Sequence, residues 1–396
     1  MLALSDITVI SLEQAIAAPF CTRQLADLGA RVIKIERPDG GDFARHYDTR
    51  TQGLSSHFVW TNRSKQSLSL NIKHPKGQDI LLNLLKTADV FVQNLAPGTT
   101  RRLGLSFEQL HQLNPQLIVC DISGYGDDPE RAGPYHSKKA YDLLIQAESG
   151  FLSISGAKDH VAKAGCSIAD IAAGMYAYSN ILSALIERGK TGKGKRIDVS
   201  MLESMTEWMG YPLYYSISNQ HPPERTGAEH ASIYPYGPFP TGDGQHIILA
   251  VQNAREWASF CQQVLENEDL IHHPRYCDNT RRVTHRAQLY ALICQAFSTL
   301  SFTQIQQRLE QAHIANAQIN NMHEVWQHPQ LTARQRWTAI DGPLCPIPTL
   351  KPVGLTQDED FVMRSVPTLG QHNHEILQQL GFSDTEIQNF SQQHIL

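Results

Sequence analysis

The first third of the chain alternates short runs of β-branched residues with segments of helical period. Residues 7–12 (ITVISL) and 31–36 (RVIKIE) have the composition of buried strands, and the segment between them opens near Pro19 and closes at Gly29, as a helix does. A strand, a helix and a second strand within about 30 residues form a βαβ unit. Because the two strands of such a unit run parallel, this pattern restricts the chain to a parallel α/β sheet.

The same alternation continues to residue 200 and is followed by one long helical pattern from Met201 to Ile217. Each further strand and helix adds one unit to the same sheet. The predicted strands are 67–72, 90–95, 117–123 and 196–200, and the predicted helices are 74–88, 106–115, 140–150 and a segment that ends near Arg188.

The composition changes near residue 220, where Pro, Gly and polar residues become dense. Such a stretch is typical of a domain boundary, so a first domain is predicted over 1–222 and a second over 223–330. The second begins with a strand at 245–252 and continues as amphipathic helices. A Pro-rich passage at 341–352 then leads to a tail of helical period.

Charge and cysteine usage exclude several kinds of partner. The formal net charge is -5 and the 34 Lys and Arg residues are scattered, so no nucleic-acid partner is predicted. The 7 cysteines include no C-x-x-C pair, which is typical of free thiols in a reducing compartment. The sequence opens without the pattern of a secretory signal and holds no run of about 18 apolar residues, so we expect a soluble cytoplasmic protein with no membrane partner.

Two glycine patterns resemble phosphate-binding loops but lack the required context. Gly189, Gly194 and Lys195 have the Walker A spacing. Arg196 stands where that motif requires Ser or Thr, and the turn joins a helix to a strand instead of the reverse. The segment 124–126 (GYG) lacks the third glycine of a dinucleotide fingerprint, so neither kind of site is predicted.

Metal ligands and the commonest nucleophiles give no signal either. The chain has 18 histidines, but neither the pair His272 and His273 nor the pair His372 and His374 has the spacing of a helical metal site, so no metal is predicted. The sequence contains no G-x-S-x-G elbow and no catalytic cysteine signature.

Three polar residues lie next to predicted elements of the sheet. Arg37 follows the second strand, Asn94 lies near the end of the strand at 90–95, and Lys139 precedes the helix at 140–150. The carboxyl ends of parallel strands and the loops beyond them form the ligand crevice of an α/β sheet. Together these residues suit an anionic, phosphate-bearing ligand.

Asp170 is the one charged residue in the apolar segment from Gly165 to Ile186. Two interpretations are open from the residues alone. Ser167 and Asp170 fit a capping box, in which both side chains bind free amides at a helix start. Alternatively, an ionised carboxylate at the mouth of a mostly buried helix is a nucleophile.

Ordered blocks along nearly the whole chain resemble one enzyme family. They are SLEQAIAAPFCTRQLADLGARVIKIERPDGGD, NRSKQSLSLNIKHPKG, NLAPGTTRRLGLSFEQLHQLNPQLI, SGYG, AYDLLIQAESG, the Asp170 helix, TGKGKRIDVSMLES and LGQHNHEILQQLG. The chain resembles the family III coenzyme A transferases, whose members include formyl-CoA transferase, carnitine CoA transferase and the α-methylacyl-CoA racemases. The resemblance implies an enzyme that uses coenzyme A thioesters as substrates and holds no permanently bound cofactor.

The resemblance also implies an architecture. It predicts an α/β fold in which a Rossmann-like large domain with a parallel sheet is built from 1–222 and from a returning segment at 331–396. A smaller α+β domain at 223–330 is inserted between these parts. Members of the family form interlocked dimers, so a homodimer is predicted.

By resemblance, Asp170 takes the position of the family's catalytic aspartate, which favours the nucleophile over a simple cap. Arg37, Arg102 and Lys139 would meet the phosphates of CoA as cations. The positions at which family members contact CoA correspond here to Ile16, Ala17, Arg37, Leu70, Lys73, Asn94, Arg102 and Lys139.

Two differences indicate the branch of the family. Racemases carry a His in a GHD sequence where this chain has Ala140, Tyr141 and Asp142, and without that base transfer is favoured over racemisation. Formyl-CoA transferase has a run of glycines over its active site, and the sequence at 225–260 has none, which argues against oxalate and formyl-CoA. The opening block resembles a subgroup that uses succinyl-CoA as donor and small dicarboxylates such as itaconate, glutarate or mesaconate as acceptors.

The implied chemistry is attack of Asp170 on the donor thioester, through a mixed anhydride and an aspartyl-CoA thioester. Arg45, Arg50 and Arg225 are candidates for holding a distal carboxylate, and Tyr141 is a further candidate substrate contact. Two alternatives are kept: a racemase or epimerase of acyl-CoA, and a CoA-binding protein without turnover.

Overall fold

A computed structural model describes residues 1–219 and 223–396 of the chain. The first strand is β1 (Thr8–Leu12), the first helix is α1 (Ala17–Asp27) and the next strand is β2 (Arg31–Glu36). β1 and β2 pair in parallel. The βαβ unit predicted from the sequence is therefore confirmed.

Most of the predicted strands are present and belong to one sheet. After β1 and β2 the strands are β3 (Gln66–Ser69), β4 (Val90–Gln93), β5 (Ile118–Ser123), β6 (Gly156–Ala157), β7 (His160–Val161), β8 (Arg196–Ser200), β9 (Tyr236–Pro240), β10 (His246–Ala250), β11 (Ala315–Gln318), β12 (Trp337–Ile340) and β13 (Ile347–Leu350). A six-stranded parallel sheet has the order β3-β2-β1-β4-β5-β8. The strand order reverses between β1 and β4, the point at which such a sheet opens a ligand crevice.

The helices show one clear difference from the sequence prediction. The prediction of a single helix from Met201 to Ile217 is wrong. Two helices form instead, because the backbone of Gly210 has a φ of 33°. After α1 the helices are α2 (Ser56–Asn62), α3 (Pro75–Leu85), α4 (Thr99–Arg102), α5 (Phe107–Leu113), α6 (Asp142–Glu148), α7 (Phe151–Ile154), α8 (Ile168–Thr191), α9 (Met201–Trp208), α10 (Gly210–Asn219), α11 (Ala254–Ser259), α12 (Asn279–Thr284), α13 (Arg286–Phe297), α14 (Phe302–Gln311), α15 (Met322–Trp326), α16 (Pro329–Ala333), α17 (Asn373–Gln379) and α18 (Asp384–Gln392).

Both faces of the six-stranded sheet are buried. Val90 and Val92 of β4 belong to a core shared with α1 and α8, whereas Phe91 belongs to a core shared with α3, α5, α17 and α18. Successive side chains of a strand point to opposite faces. The continuous apolar runs that predicted the strands are thus the pattern of a sheet covered on both sides.

Gly194 explains the near match to a Walker A loop. A Cβ at this position would lie 2.1 Å from the carbonyl oxygen of Leu117, so the turn before β8 lies directly against the chain before β5. Glycine is required by this close approach of two backbones. The motif therefore reflects packing of the sheet.

The described residues form two compact units. The first comprises Met1–Phe151, Ala164–Gly210 and Ala333–Leu396 and contains the parallel sheet. The second comprises Leu152–Lys163 and Tyr211–Thr332 and contains the antiparallel sheet β11-β10-β9 with a hydrophobic core of its own. The predicted α/β class is confirmed, and the domain bounds inferred from composition stay a prediction.

Candidate active site

A cavity of about 900 Å³ lies at the carboxyl ends of β1, β2, β3 and β4 in the first unit. This is the edge at which a parallel sheet binds ligands. Four of the residues predicted to contact CoA line it, namely Arg37, Leu70, Lys73 and Arg102. His394 also lines it. His394 could not be predicted from the sequence, because this residue lies in the tail, far along the chain from the strands.

Three cations line this cavity. The Arg37 guanidinium donates to a backbone carbonyl oxygen at 2.9 Å and lies 4.6 Å from the centre of the Phe43 ring. Arg102 donates to the hydroxyl of Thr99 at 2.9 Å. Within residues 1–219 and 223–396, Arg37, Lys73 and Arg102 form no ion pair. Their charges can therefore pair with phosphate groups of a ligand.

Residues 13–16 join β1 to α1 and form the β1–α1 loop. Three further predicted CoA contacts lie in this loop or next to it, namely Ile16, Ala17 and Asn94. Ile16 and Ala17 are buried, with 5% and 2% of their surface exposed. Asn94 holds the loop, because its Oδ1 accepts from the Gln14 amide at 2.8 Å and its Nδ2 donates to the Gln14 carbonyl at 2.8 Å. Asn94 thus positions the loop, and a direct contact with CoA stays a prediction.

Lys139 lies in the exposed segment between β5 and α6, outside the lining of the cavity. Its neighbour Lys138 anchors the segment through an ion pair with Glu148 at 2.5 Å. The Lys138 ammonium also lies 5.4 Å from the centre of the Tyr125 ring and 4.5 Å from that of Tyr135. The contact of Lys139 with CoA phosphates stays a prediction.

Asp170 lies in the first turn of α8 and is half-buried. Burial raises the pKa of the Asp170 carboxyl to about 7, and the negative charge of Asp142 adds to this effect. No cation of the described residues pairs with Asp170 to oppose the shift. A desolvated carboxylate without a cation is a reactive nucleophile once it is ionised.

Of the two interpretations of Asp170, the capping box with Ser167 is not present in the structure. Ser167 makes no side-chain cap, and Asp142 supplies it, because the Asp142 Oδ1 accepts from the Ala169 amide at 2.8 Å. Gln146 holds Asp142 in place by donating to its Oδ2 at 2.6 Å. Asp142 lies 27 residues before Ala169 in the chain, so no local spacing reveals this cap. One carboxylate thus stabilises the start of α8 and raises the pKa of Asp170.

α8 packs closely against α1 one turn after Asp170. A Cβ on Gly174 would lie 2.7 Å from the Ala17 carbonyl oxygen and 3.0 Å from the Phe20 ring, so glycine is required here. Residues four apart lie on the same face of a helix. Asp170 therefore lies on the face of α8 that packs against α1.

Tyr47 lies near Asp170, and Tyr141 lies near Tyr47. Burial raises the pKa of Tyr47, and the charges of Asp42 and Asp170 raise it further, which places Tyr47 within electrostatic reach of both carboxylates. The Tyr47 and His57 rings meet edge to face, with their centres 5.4 Å apart. Tyr141, predicted as a substrate contact, is 70% exposed at the start of α6. Tyr47 and His57 were missed, because single aromatic residues outside any motif carry no signal.

The arginines predicted to hold a distal carboxylate differ in their surroundings. Arg45 donates to both oxygens of Glu36, at 2.8 and 2.7 Å. Arg225, in the second unit, donates to three backbone carbonyl oxygens at 2.8 to 3.4 Å. Arg50 is exposed. A substrate would have to displace internal partners at Arg45 and Arg225, and the assignment of all three stays a prediction.

Metal binding and membrane insertion each require a recognisable arrangement of side chains. In residues 1–219 and 223–396, no group of three or more His, Cys, Asp and Glu side chains is arranged to hold a metal ion. In the same residues, no helix combines the length and the apolar character needed to cross a membrane.

Known proteins resemble the chain over nearly its whole length. The sequence model of CoA-transferase family III matches residues 4–373. The chain is 33% identical to the succinyl-CoA:glutarate CoA-transferase of Homo sapiens, over 95% of this chain and 86% of the human protein. It is 30% identical to the succinyl-CoA:mesaconate CoA-transferase of Haloarcula marismortui, over 96% of each chain.

Solved structures show the same relationship. The crystal structure of a CaiB/BaiF family protein from Brucella suis superimposes with a TM-score of 0.83 and 30% sequence identity, over 96% of this chain and 99% of that one. The fold, the relatives and the family's sequence model agree along the same stretch of chain. This protein therefore belongs to CoA-transferase family III.

Proposed function

We propose that this chain transfers CoA from succinyl-CoA to a small dicarboxylic acid such as glutarate, mesaconate or itaconate, with Asp170 as the nucleophile. The observation that carries the proposal is the state of Asp170, a desolvated carboxylate at the start of α8 whose pKa is raised to about 7. The similarity to the succinyl-CoA:glutarate and succinyl-CoA:mesaconate transferases supports the donor and the class of acceptor.

The reaction begins when the ionised Asp170 attacks the thioester carbonyl of the donor. The carbon–sulfur bond breaks, CoA leaves as the thiolate, and the donor acyl group and Asp170 form a mixed anhydride. The thiolate then attacks the Asp170 carbonyl carbon, which gives an aspartyl-CoA thioester and releases the donor carboxylate. The acceptor carboxylate repeats these steps in reverse order, so that acceptor-CoA leaves and Asp170 is regenerated.

Binding and chemistry are assigned to different residues in this proposal. Arg37, Lys73 and Arg102 bind the phosphates of CoA, because they are cations that line one cavity and form no ion pair within the described residues. The hydroxyls of Tyr47 and Tyr141 are candidates for contacts with the acceptor carboxylate. Exclusion of water protects the anhydride from hydrolysis.

The experiment that tests the proposal is an acceptor screen. Purified protein is incubated with succinyl-CoA and a panel of mono- and dicarboxylic acids, and new CoA thioesters are measured by mass spectrometry. We expect one dicarboxylate to form acceptor-CoA with an equal loss of succinyl-CoA. Hydroxylamine or borohydride added during turnover should modify Asp170, whereas unmodified Asp170 in a fully active enzyme contradicts the mechanism.

A second candidate function is proton exchange at Cα of an acyl-CoA. The neighbouring carboxylates of Asp142 and Asp170 favour it, because proton exchange at Cα needs an acid and a base close to each other. Incubation of acyl-CoA in D₂O without an acceptor acid distinguishes the two functions. Deuterium uptake at Cα supports exchange, and a thioester that stays unlabelled while transfer proceeds supports the transferase.

A further inference from the structure

Four charged side chains of the first unit are completely buried beside the β1–α1 loop. They are Glu13 at the start of the loop, Lys34 in the middle of β2, Asp42 and Lys65, and we call them the charge cluster. None of these side chains exposes any surface. Burial of an uncompensated charge costs several kcal/mol, so groups in this position must pair with one another.

The pairing within the charge cluster is complete. The Lys34 ammonium lies 2.5 Å from the Asp42 carboxylate and 3.5 Å from that of Glu13, and the Lys65 ammonium lies 2.6 Å from Glu13. The Asn62 Oδ1 accepts from both ammonium groups, at 2.9 and 3.2 Å. Burial lowers the pKa of Lys65 to about 8, although Glu13 opposes this shift. Two carboxylates and two ammonium groups therefore form a neutral cluster.

Asp42 has a second oxygen that reaches the β1–α1 loop. Its Oδ1 accepts from the Ala15 amide at 3.0 Å and from the Ala44 amide at 2.9 Å, while its Oδ2 binds Lys34. Ala15 has a φ of 61°, a left-handed conformation that is sterically unfavourable for a non-glycine residue. Such a conformation persists only where the surrounding structure holds it. The charge cluster supplies that restraint.

The β1–α1 loop in turn connects to Asp170. Two residues after Ala15, the carbonyl of Ala17 lies against Gly174, one turn along α8 from Asp170 and on the same face. On its other side the loop reaches the cavity, which Gln14 lines. The conformation at Ala15 therefore sets how the groups that line the cavity are placed relative to the Asp170 carboxylate.

Stability alone does not account for four buried charges. An apolar cluster of the same volume stabilises a fold as well or better. The charges add directed hydrogen bonds, such as the one from the Ala15 amide of the loop to the Asp42 Oδ1 at 3.0 Å and the one from the Thr22 hydroxyl to the Glu13 Oε2 at 2.6 Å. Directed bonds fix a geometry, and apolar contacts of the same volume do not.

We propose that Glu13, Lys34, Asp42 and Lys65 are positioning residues that fix the left-handed turn at Ala15 and thereby the approach of the thioester carbonyl to Asp170. This inference rests on the proposed function. It adds to that function a group of residues that touch neither CoA nor the reacting atoms. A misplacement of about 1 Å at a reacting centre lowers the rate by about 100-fold, so the expected effect is on kcat.

The main test compares Asp42→Asn with a matched control. Asp27→Asn also neutralises a buried carboxylate, which binds Arg63 at 2.6 Å and Arg23 at 2.7 Å. Asp27 lies at the other end of α1, about 15 Å from Ala17 by the rise of a helix. We expect Asp42→Asn to lower kcat 10- to 100-fold with less than a threefold change in the Kd of CoA. Asp27→Asn should change kcat less than threefold.

A rescue variant separates positioning from stability. Glycine adopts positive φ without steric cost, so Ala15→Gly in the Asp42→Asn background should recover at least half of the lost kcat on a logarithmic scale. A general loss of stability is not repaired by removing one methyl group. Thr22→Val removes a hydrogen bond without a charge, so it keeps the test available if Asp42→Asn does not fold, and it should lower kcat three- to tenfold.

Hydrogen exchange does not require turnover, so it tests this inference separately from the proposed function. Hydrogen exchange of the amides in residues 13–17 should rise at least tenfold in Asp42→Asn and stay unchanged in Asp27→Asn. If the wild-type chain transfers no CoA to any acid, the proposed function is wrong. The hydrogen-exchange result still shows in that case whether the charge cluster holds the loop. Equal kcat losses in Asp42→Asn and Asp27→Asn, or unchanged exchange in residues 13–17, overturn the inference.

Discussion

The lining of the cavity and the surroundings of Asp170 differ in the charged groups that they offer to a ligand. The cavity is lined by Arg37, Lys73 and Arg102, which form no ion pair within the described residues, whereas Asp170 has another carboxylate, Asp142, as its charged neighbour. The first region suits the phosphates of CoA, and the second keeps a carboxylate desolvated and reactive. In the proposed function, affinity and reactivity therefore depend on different residues, which can be changed separately.

The largest expected effect is the loss of transfer in Asp170→Asn. The amide cannot attack a thioester, so kcat should fall on the order of 10⁴-fold or more, while the Kd of CoA measured by calorimetry stays within twofold. This result would confirm that binding does not need the second region. Transfer at more than a hundredth of the wild-type rate would contradict it.

We expect Arg37→Gln to have the opposite effect, with weaker binding of the donor and nearly unchanged kcat. Loss of a charged hydrogen-bond donor to a phosphate weakens binding by about 10- to 100-fold, so the KM for succinyl-CoA should rise by this factor with kcat nearly unchanged. Arg31→Gln is the matched control, because Arg31 lies at the opposite end of β2 and binds Gln66 and Gln379. A kcat that falls as much as KM rises would show that the two regions are coupled.

The third prediction compares the stability of the wild type with that of Asp170→Asn at two pH values. The folded-state pKa of Asp170 is raised to about 7, so the folded protein binds a proton that the unfolded chain releases, and stability falls as pH rises from about 4 to 7. Asp170→Asn has no such charge. It should be more stable than the wild type by about 2 kcal/mol at pH 8, after a discount for partial exposure, and equally stable at pH 4. Urea unfolding at both pH values measures this, and a stabilisation of equal size at pH 4 would exclude the charge as its cause.

The smallest expected effect concerns pH and Asp142. In the wild type kcat/KM should rise with pH through about 7, because Asp170 must lose its proton to attack. Asp142→Asn removes the neighbouring charge and keeps an oxygen for the Ala169 amide, so the rise should move to lower pH by about one unit or less, since burial still acts. Asp89→Asn, which breaks the half-buried pair with Arg188, should leave the profile unchanged. A shift to higher pH contradicts the assignment.

The parts of the structure that local pattern encodes were predictable. β2 has the predicted bounds, because a strand buried on both faces reads as an apolar run. Lys34 in the middle of that run is also buried, since its partners Glu13 and Asp42 come from other elements. The position of Asp170 came from family resemblance, whereas its cap by Asp142 depends on how α6 meets α8. Contacts between distant segments of the chain could not be predicted, because the spacing and periodicity of residues report only local structure.

The raised pKa of Asp170 affects which carboxylate leaves when the thiolate attacks the proposed mixed anhydride. An anhydride attacked by a thiolate expels more readily the carboxylate with the lower pKa. Burial raises the pKa of Asp170 to about 7, so a donor acid whose carboxyl keeps its ordinary pKa near 4 is a better leaving group than Asp170. In the proposed reaction the thiolate therefore joins CoA to Asp170 more often than it re-forms the donor. In that proposed mechanism, CoA is bound between the two half-reactions as a covalent aspartyl thioester, which then reacts with the acceptor.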